Sequence, residues 1–215
     1  MQRLAGNAAV VAAVQRAATV QRKSGLDAAA QAIVTAAQDT KKTVDERAVA
    51  LVRAILATYF SADAGLVKDV VYDDARAAGG LNTESGNGKA AKGTISVGDE
   101  FLKQATESGF ARRVIQVDHE LEHVRQHRAG LGGANRSTLR EFLAFSREAL
   151  QAEFTGTGRS SHSTRLRLID EALRLYYKLG EDDRKTHEGR RKALLEEREK
   201  HNGKAGNPRT DPPGP

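Results

Sequence analysis

His119-Glu120-Leu121-Glu122-His123 decides how the rest of this chain is read. On an α-helix, positions four apart stack on one face, so both imidazoles reach a single metal ion. Glu120 neighbours the first histidine, where its carboxylate takes a proton from a metal-bound water without itself being a ligand. The turn therefore predicts a hydrolase site, with His119 and His123 as metal ligands and Glu120 as the catalytic base. The flanks predict the helix that this arrangement needs. Ala111 to Arg128 contains no Pro or Gly, Val114, Val117, Leu121 and Val124 recur at spacings of three and four, and the stretch from Gly130 to Gly133 ends the helix.

A catalytic zinc takes three protein ligands and a water. Cys is absent, so the third ligand must be a His or a carboxylate outside the motif. His127 continues the stripe but lies a further turn along the axis, about 5 to 6 Å away, too far to share the ion. The longer pattern with a third histidine six residues after the second fails at Ala129, and its Met-containing turn has no residue to form it, because Met1 is the only methionine. What remains is a glutamate on the next helix. Glu141, in Arg140-Glu141-Phe142-Leu143-Ala144, follows His123 by eighteen residues, with small Ala144 a turn later to permit close helix approach. Glu148 and Glu153 are the alternatives. Thr138 and Glu141 also have capping-box spacing, which would tie Glu141 to a backbone N–H instead.

Outside the motif the chain reads as mostly helical. Asp27 to Phe60 predicts two helices, the second with Val49, Val52, Ile55 and Leu56 on one side and Asp45 and Glu46 near its start. Leu66 to Tyr72 and Thr94 to Val97 are β-type runs separated by a loop from Gly79 to Gly93, which predicts a small hairpin or two-stranded piece. Thr138 to Phe154 and Leu166 to Leu179 read as further helices. From Glu181 to Lys200 charge is dense, which predicts a peripheral helix without a core role. The fold class is therefore α+β, mainly α: a compact domain over residues 27–180 with a small sheet or hairpin packed on the metal-binding helix. Residues 1–26 have no acidic side chain and carry Arg3, Arg16, Arg22 and Lys23, as a basic docking or targeting segment would. Residues 181–215 are expected to form the charged helix and a disordered tail containing Pro and Gly.

The net charge of +6 is spread among opposite charges, and no basic patch interleaved with aromatics or nucleic-acid-binding module is recognisable, so nucleic acid is not an expected partner. No apolar run reaches membrane-spanning length.

With its two motif histidines and downstream glutamate, the chain resembles the gluzincin group of zinc metallopeptidases, whose second motif often reads Glu-x-x-Ala, as at Glu141 to Ala144. His-Glu-Leu-x-His-Val-x-Gln, from His119 to Gln126, is similar to the peptidase domain that accompanies bacterial extracellular contractile injection systems. The opening from Gln2 to Val10 is similar to short segments that recur in proteins of those systems. These resemblances imply a zincin-like fold, a Zn2+ cofactor and a protein or peptide substrate, held along the edge of the small sheet. They further imply a chain kept in the bacterial cytoplasm, loaded onto an injection particle through residues 1–26, and then secreted or injected into a target cell as a toxin-like effector, or else a processing protease of the particle. The alternative is a catalytically inactive zincin-like adaptor. In the family an Asp four residues after the ligand glutamate orients a zinc histidine; Phe145 stands there, so Asp118 or Asp170 is expected to take over. His162, Tyr176 and Tyr177 are the candidate oxyanion stabilisers.

Overall fold

Asp27 accepts a hydrogen bond from the Ala30 N–H at 2.8 Å and so caps helix α1 (Ala28–Ala37). Helix α2 (Val44–Tyr59) starts on a capping box formed by Thr43 and Glu46, and turns Leu51, Val52, Ile55 and Leu56 inward. A computed structural model describes residues 25–75, 77, 80–151, 154 and 156–204. Apart from Gly25 and Leu26, the expected docking segment lies outside the described residues, as do tail residues 205–215 and Glu153.

Three strands follow: β1 (Val67–Tyr72), β2 (Leu81–Ser85) and β3 (Gly93–Val97). Their order is β1-β3-β2, with β3 central, parallel to β1 and antiparallel to β2. Ile95 of β3 pairs with Val70 on one side and Thr83 on the other. The two runs legible in the sequence therefore pair with each other in parallel, as a two-stranded piece and not a hairpin, and β2, inside the expected loop, adds to the other side of β3. It escapes sequence patterning because only Leu81 is apolar in Leu-Asn-Thr-Glu-Ser, which is tolerable in a strand at the sheet's edge. Gly80 precedes it at φ +94°, where a Cβ would also come within 2.4 Å of the Phe101 backbone nitrogen.

A short helix α3 (Asp99–Lys103) leads to α4 (Phe110–Arg128), which carries the motif. Three helices complete the described chain: α5 (Ser137–Leu150), α6 (His162–Tyr177) and α7 (Glu181–Asn202). The fold is thus α+β and mainly helical. One apolar cluster joins α1, α2 and the sheet to α4 through Ile55, Ile95, Phe101, Phe110, Val114 and Leu121. A second joins α5, α6 and α7 through Phe142, Ile169, Leu173 and Leu194. Helix α4 lies at their junction, touching α2, β2 and β3 as well as α5. The sheet comes close because Gly93 has no side chain: a Cβ there would sit 2.4 Å from Val124 of α4.

Helix α7 is less peripheral than its charge suggests. Leu194 is fully buried, and Arg198, only 2% exposed, donates from Nε to Asp170 Oδ1 at 2.8 Å. A lone leucine and a charged residue give almost no apolar periodicity, so the contact was not legible. Removing one member of a buried pair leaves the other charge desolvated, which costs about 3–5 kcal/mol. Arg198→Ala is expected to lower the thermal melting midpoint by about 10 °C. By contrast, Lys185→Ala, which removes an exposed pair with Glu181, should leave it within about 2 °C.

None of the described helices is long and apolar enough to cross a membrane.

Candidate metal centre

Contacts between α4 and α5 run in opposite orders along the two helices. Gln126 meets Arg140, His123 meets Glu141, His119 meets Glu148 and Asp118 meets Arg147, so the helices are antiparallel neighbours. Fully buried Ala144 lets them approach. This brings the two motif histidines and Glu141 together: His119 Nε2 lies 3.7 Å from Glu141 Oε2, and His123 Nε2 lies 3.4 Å from Oε1. One donor atom from each of the three falls within 4.8 Å of the others, and no other such group occurs among the described residues. The two rings stand nearly perpendicular, 4.9 Å apart, and Phe145 packs edge-on to His119 at 4.7 Å.

The remaining ring nitrogens are held from behind. His119 Nδ1 lies 3.1 Å from Glu148 Oε2; a carboxylate only accepts, so Nδ1 donates there and Nε2 is the ring nitrogen turned toward Glu141. Arg112 closes on the other oxygen of Glu148. His123 Nδ1 donates to Gln126 Oε1 at 3.2 Å, and that amide is oriented by its own donation to the Arg140 carbonyl at 3.1 Å. Both histidines therefore present Nε2 toward Glu141.

Burial works to raise the Glu141 carboxyl, but the neighbouring His119, His123 and Arg140 outweigh it and hold the group below the ordinary carboxylate value. Burial, joined by the charges of Arg113, Arg167 and Arg165, pushes the Arg112 guanidinium down to about 9, which still leaves it cationic at neutral pH. Glu120, 8% exposed, lines the same cavity and makes no hydrogen bond or ion pair with any described residue. The cavity measures about 390 Å³; Leu81 and Asn82 of edge strand β2 form part of its wall.

Several expected residues stand elsewhere. Asp118 does not hold an imidazole: it is about 100° round α4 from His119 and binds Arg125 at 3.0 Å and Arg147 at 2.7 Å. Asp170 is taken by Arg198. Glu148, weighed as a ligand, occupies the orienting position that the absent Asp would fill, because it follows Glu141 by seven residues on the same face of α5. The capping alternative for Glu141 is not formed, since α5 begins after Arg136 with no side-chain cap. His127 is outside the three-donor group. His162 pairs with His201, Tyr176 donates to Glu188 and Tyr177 packs on Tyr176; none of the three lines the cavity. Sequence reasoning passed over Arg112 and Gln116, whose signal was available: they precede His119 by seven and three residues, which places them on its face of α4.

Comparison of the chain with protein-family models, with curated proteins and with solved structures found no match in any of the three.

Proposed function

We propose that this protein is a zinc-dependent peptidase. The observation that carries the reading is the convergence of His119, His123 and Glu141 beside a carboxylate, Glu120, that has no hydrogen-bond or ion-pair partner among the described residues. Two neutral imidazoles and one carboxylate suit zinc in ligand type and number, and three protein donors are the set of a catalytic site, whereas a structural site closes with a fourth. A zinc ion held there supplies Lewis acidity and makes water nucleophilic near neutral pH. Glu120 takes the proton from the attacking water and returns it to the leaving amine. Among the described residues strand β2 has no neighbour strand on its outer side, and its backbone is suited to hold an extended peptide across the cavity by strand addition. The pattern from His119 to Gln126 and the stretch from Gln2 to Val10 support a bacterial effector, or a processing protease, of a contractile injection system. The test is cleavage of a peptide library by zinc-loaded wild type, its loss on chelation and its loss in Glu120→Gln. An inactive adaptor cuts nothing in any of these forms.

The Glu148 contact yields a separate expectation. Groups that orient a metal histidine typically contribute tenfold to a hundredfold in affinity. Glu148→Ala should therefore weaken zinc binding by about that factor in a chelator competition titration, and Glu148→Gln, which can still accept from His119 Nδ1, by less. Unchanged affinity in Glu148→Ala would show that the contact does not support the ligand.

A further inference from the structure

The cavity at the metal centre does not end at Arg112 and Phe145. Both also line a second cavity of about 440 Å³, whose far wall is α6 with Arg167, Asp170, Glu171 and Arg174. The two cavities are thus neighbours across the Arg112 and Phe145 side chains, and Glu141 is near enough for its charge to act on Glu171.

Charges in this second cavity are matched with one exception. Arg174 grips Glu171 through Nε at 2.8 Å and through Nη2, Arg198 holds Asp170, and Arg112 closes on Glu148. Arg167 is exposed and makes no hydrogen bond or ion pair with any described residue. Arg113 and Arg165 stand nearby; Arg113 donates to the neutral Gln104 amide, and Arg165 donates to the backbone carbonyls of Glu148 and Ala149. The lowered basicity of Arg112 reflects burial and the neighbouring charges of Arg113, Arg167 and Arg165. An extended peptide lying over the metal centre and passing Phe145 would place a group against Arg167. A planar guanidinium whose N–H groups are not taken by any described residue, in a concave setting, favours a carboxylate, which it can bind through two parallel hydrogen bonds.

Building on the peptidase reading, we propose that Arg167, with Arg112 behind it, forms a subsite for a carboxylate of the peptide substrate. That carboxylate is an acidic side chain or the C-terminus, and both present the same chemistry to the arginine.

The experiment measures binding by fluorescence anisotropy to the zinc-loaded full-length chain carrying Glu120→Gln, which prevents turnover. Three hexapeptides bear the same uncharged N-terminal dye: glutamate alternating with alanine and an amidated end, the same peptide with glutamine for glutamate, and the glutamine peptide with a free C-terminus. At least one carboxylate probe is expected to bind about tenfold tighter than the amidated glutamine probe. Adding Arg167→Ala should bring that preference to within about twofold, whereas Arg190→Ala, in a separate cavity with Ser146 and Leu150, should leave it. A preference for the glutamate probe identifies an acidic side chain; a preference for the free terminus identifies a C-terminal carboxylate. Equal binding of all three probes, no binding of any, or a preference that survives Arg167→Ala overturns the subsite. The two readings fail separately: Arg167-dependent preference in a chain that cleaves no peptide keeps the subsite and removes the peptidase, and cleavage without that preference does the reverse.

Discussion

Glu120→Gln is expected to keep its zinc and its fold while losing peptide cleavage by on the order of a hundredfold or more, the scale of general acid–base catalysis. The substitution preserves size and shape and removes the ability to accept a proton. Because Glu120 makes no hydrogen bond or ion pair among the described residues, the change breaks no interaction on which the structure rests, so a loss of rate can be attributed to chemistry. Zinc content by elemental analysis and thermal melting supply the controls. Wild-type cleavage rates in the variant would remove Glu120 from the mechanism while leaving the enzyme class in place.

The second large effect is on metal content. His119→Ala and His123→Ala should each lose most of the zinc, since two donors of the three do not make a catalytic site. Glu141→Gln should also empty it, because an amide replaces the only anionic donor of the group. Elemental analysis of the purified variants reads this directly. Full occupancy in either histidine variant would overturn the assignment; occupancy retained in Glu141→Gln but lost in Glu148→Gln would exchange the roles of the two glutamates.

Much of this arrangement was legible before any coordinates. The helix from Phe110 to Arg128 announced itself through apolar spacing and absent breakers, and the pairs α1–α2 and α5–α6 through the same periodicity. Elimination led to a glutamate of the next helix, since the chain has no Cys and Met1 is its only methionine, and left Glu141, Glu148 and Glu153 open; of these the structure places Glu141 against both motif histidines. Less visible were the features that depend on what faces what. Strand β2 carries one apolar residue, so nothing in its pattern separates it from a loop; only pairing with β3 makes it a strand. The carboxylate that meets His119 Nδ1 is Glu148, one turn beyond Phe145 on the same helix, a partner that fixed spacing rules cannot anticipate. Arg198 and Asp170 are far apart in sequence, and a charged residue at either position reads as solvent-facing until the other is found beside it.

Asp118, finally, turns its side chain away from the three-donor group and still bears on the geometry there. It grips Arg147 of α5 and Arg125 of its own helix, and Arg125 reaches on to Asp63 at 2.6 Å, ahead of β1. Together with the His119–Glu148 contact, these ties fasten α4 at two points around its circumference, one about 100° from the other. A cylinder pinned at two such points cannot roll. The direction in which the Cα–Cβ bond of Glu120 leaves the helix follows that roll angle, so an ionic latch on another face of the helix, made of residues outside the three-donor group, helps to fix where its carboxylate can reach.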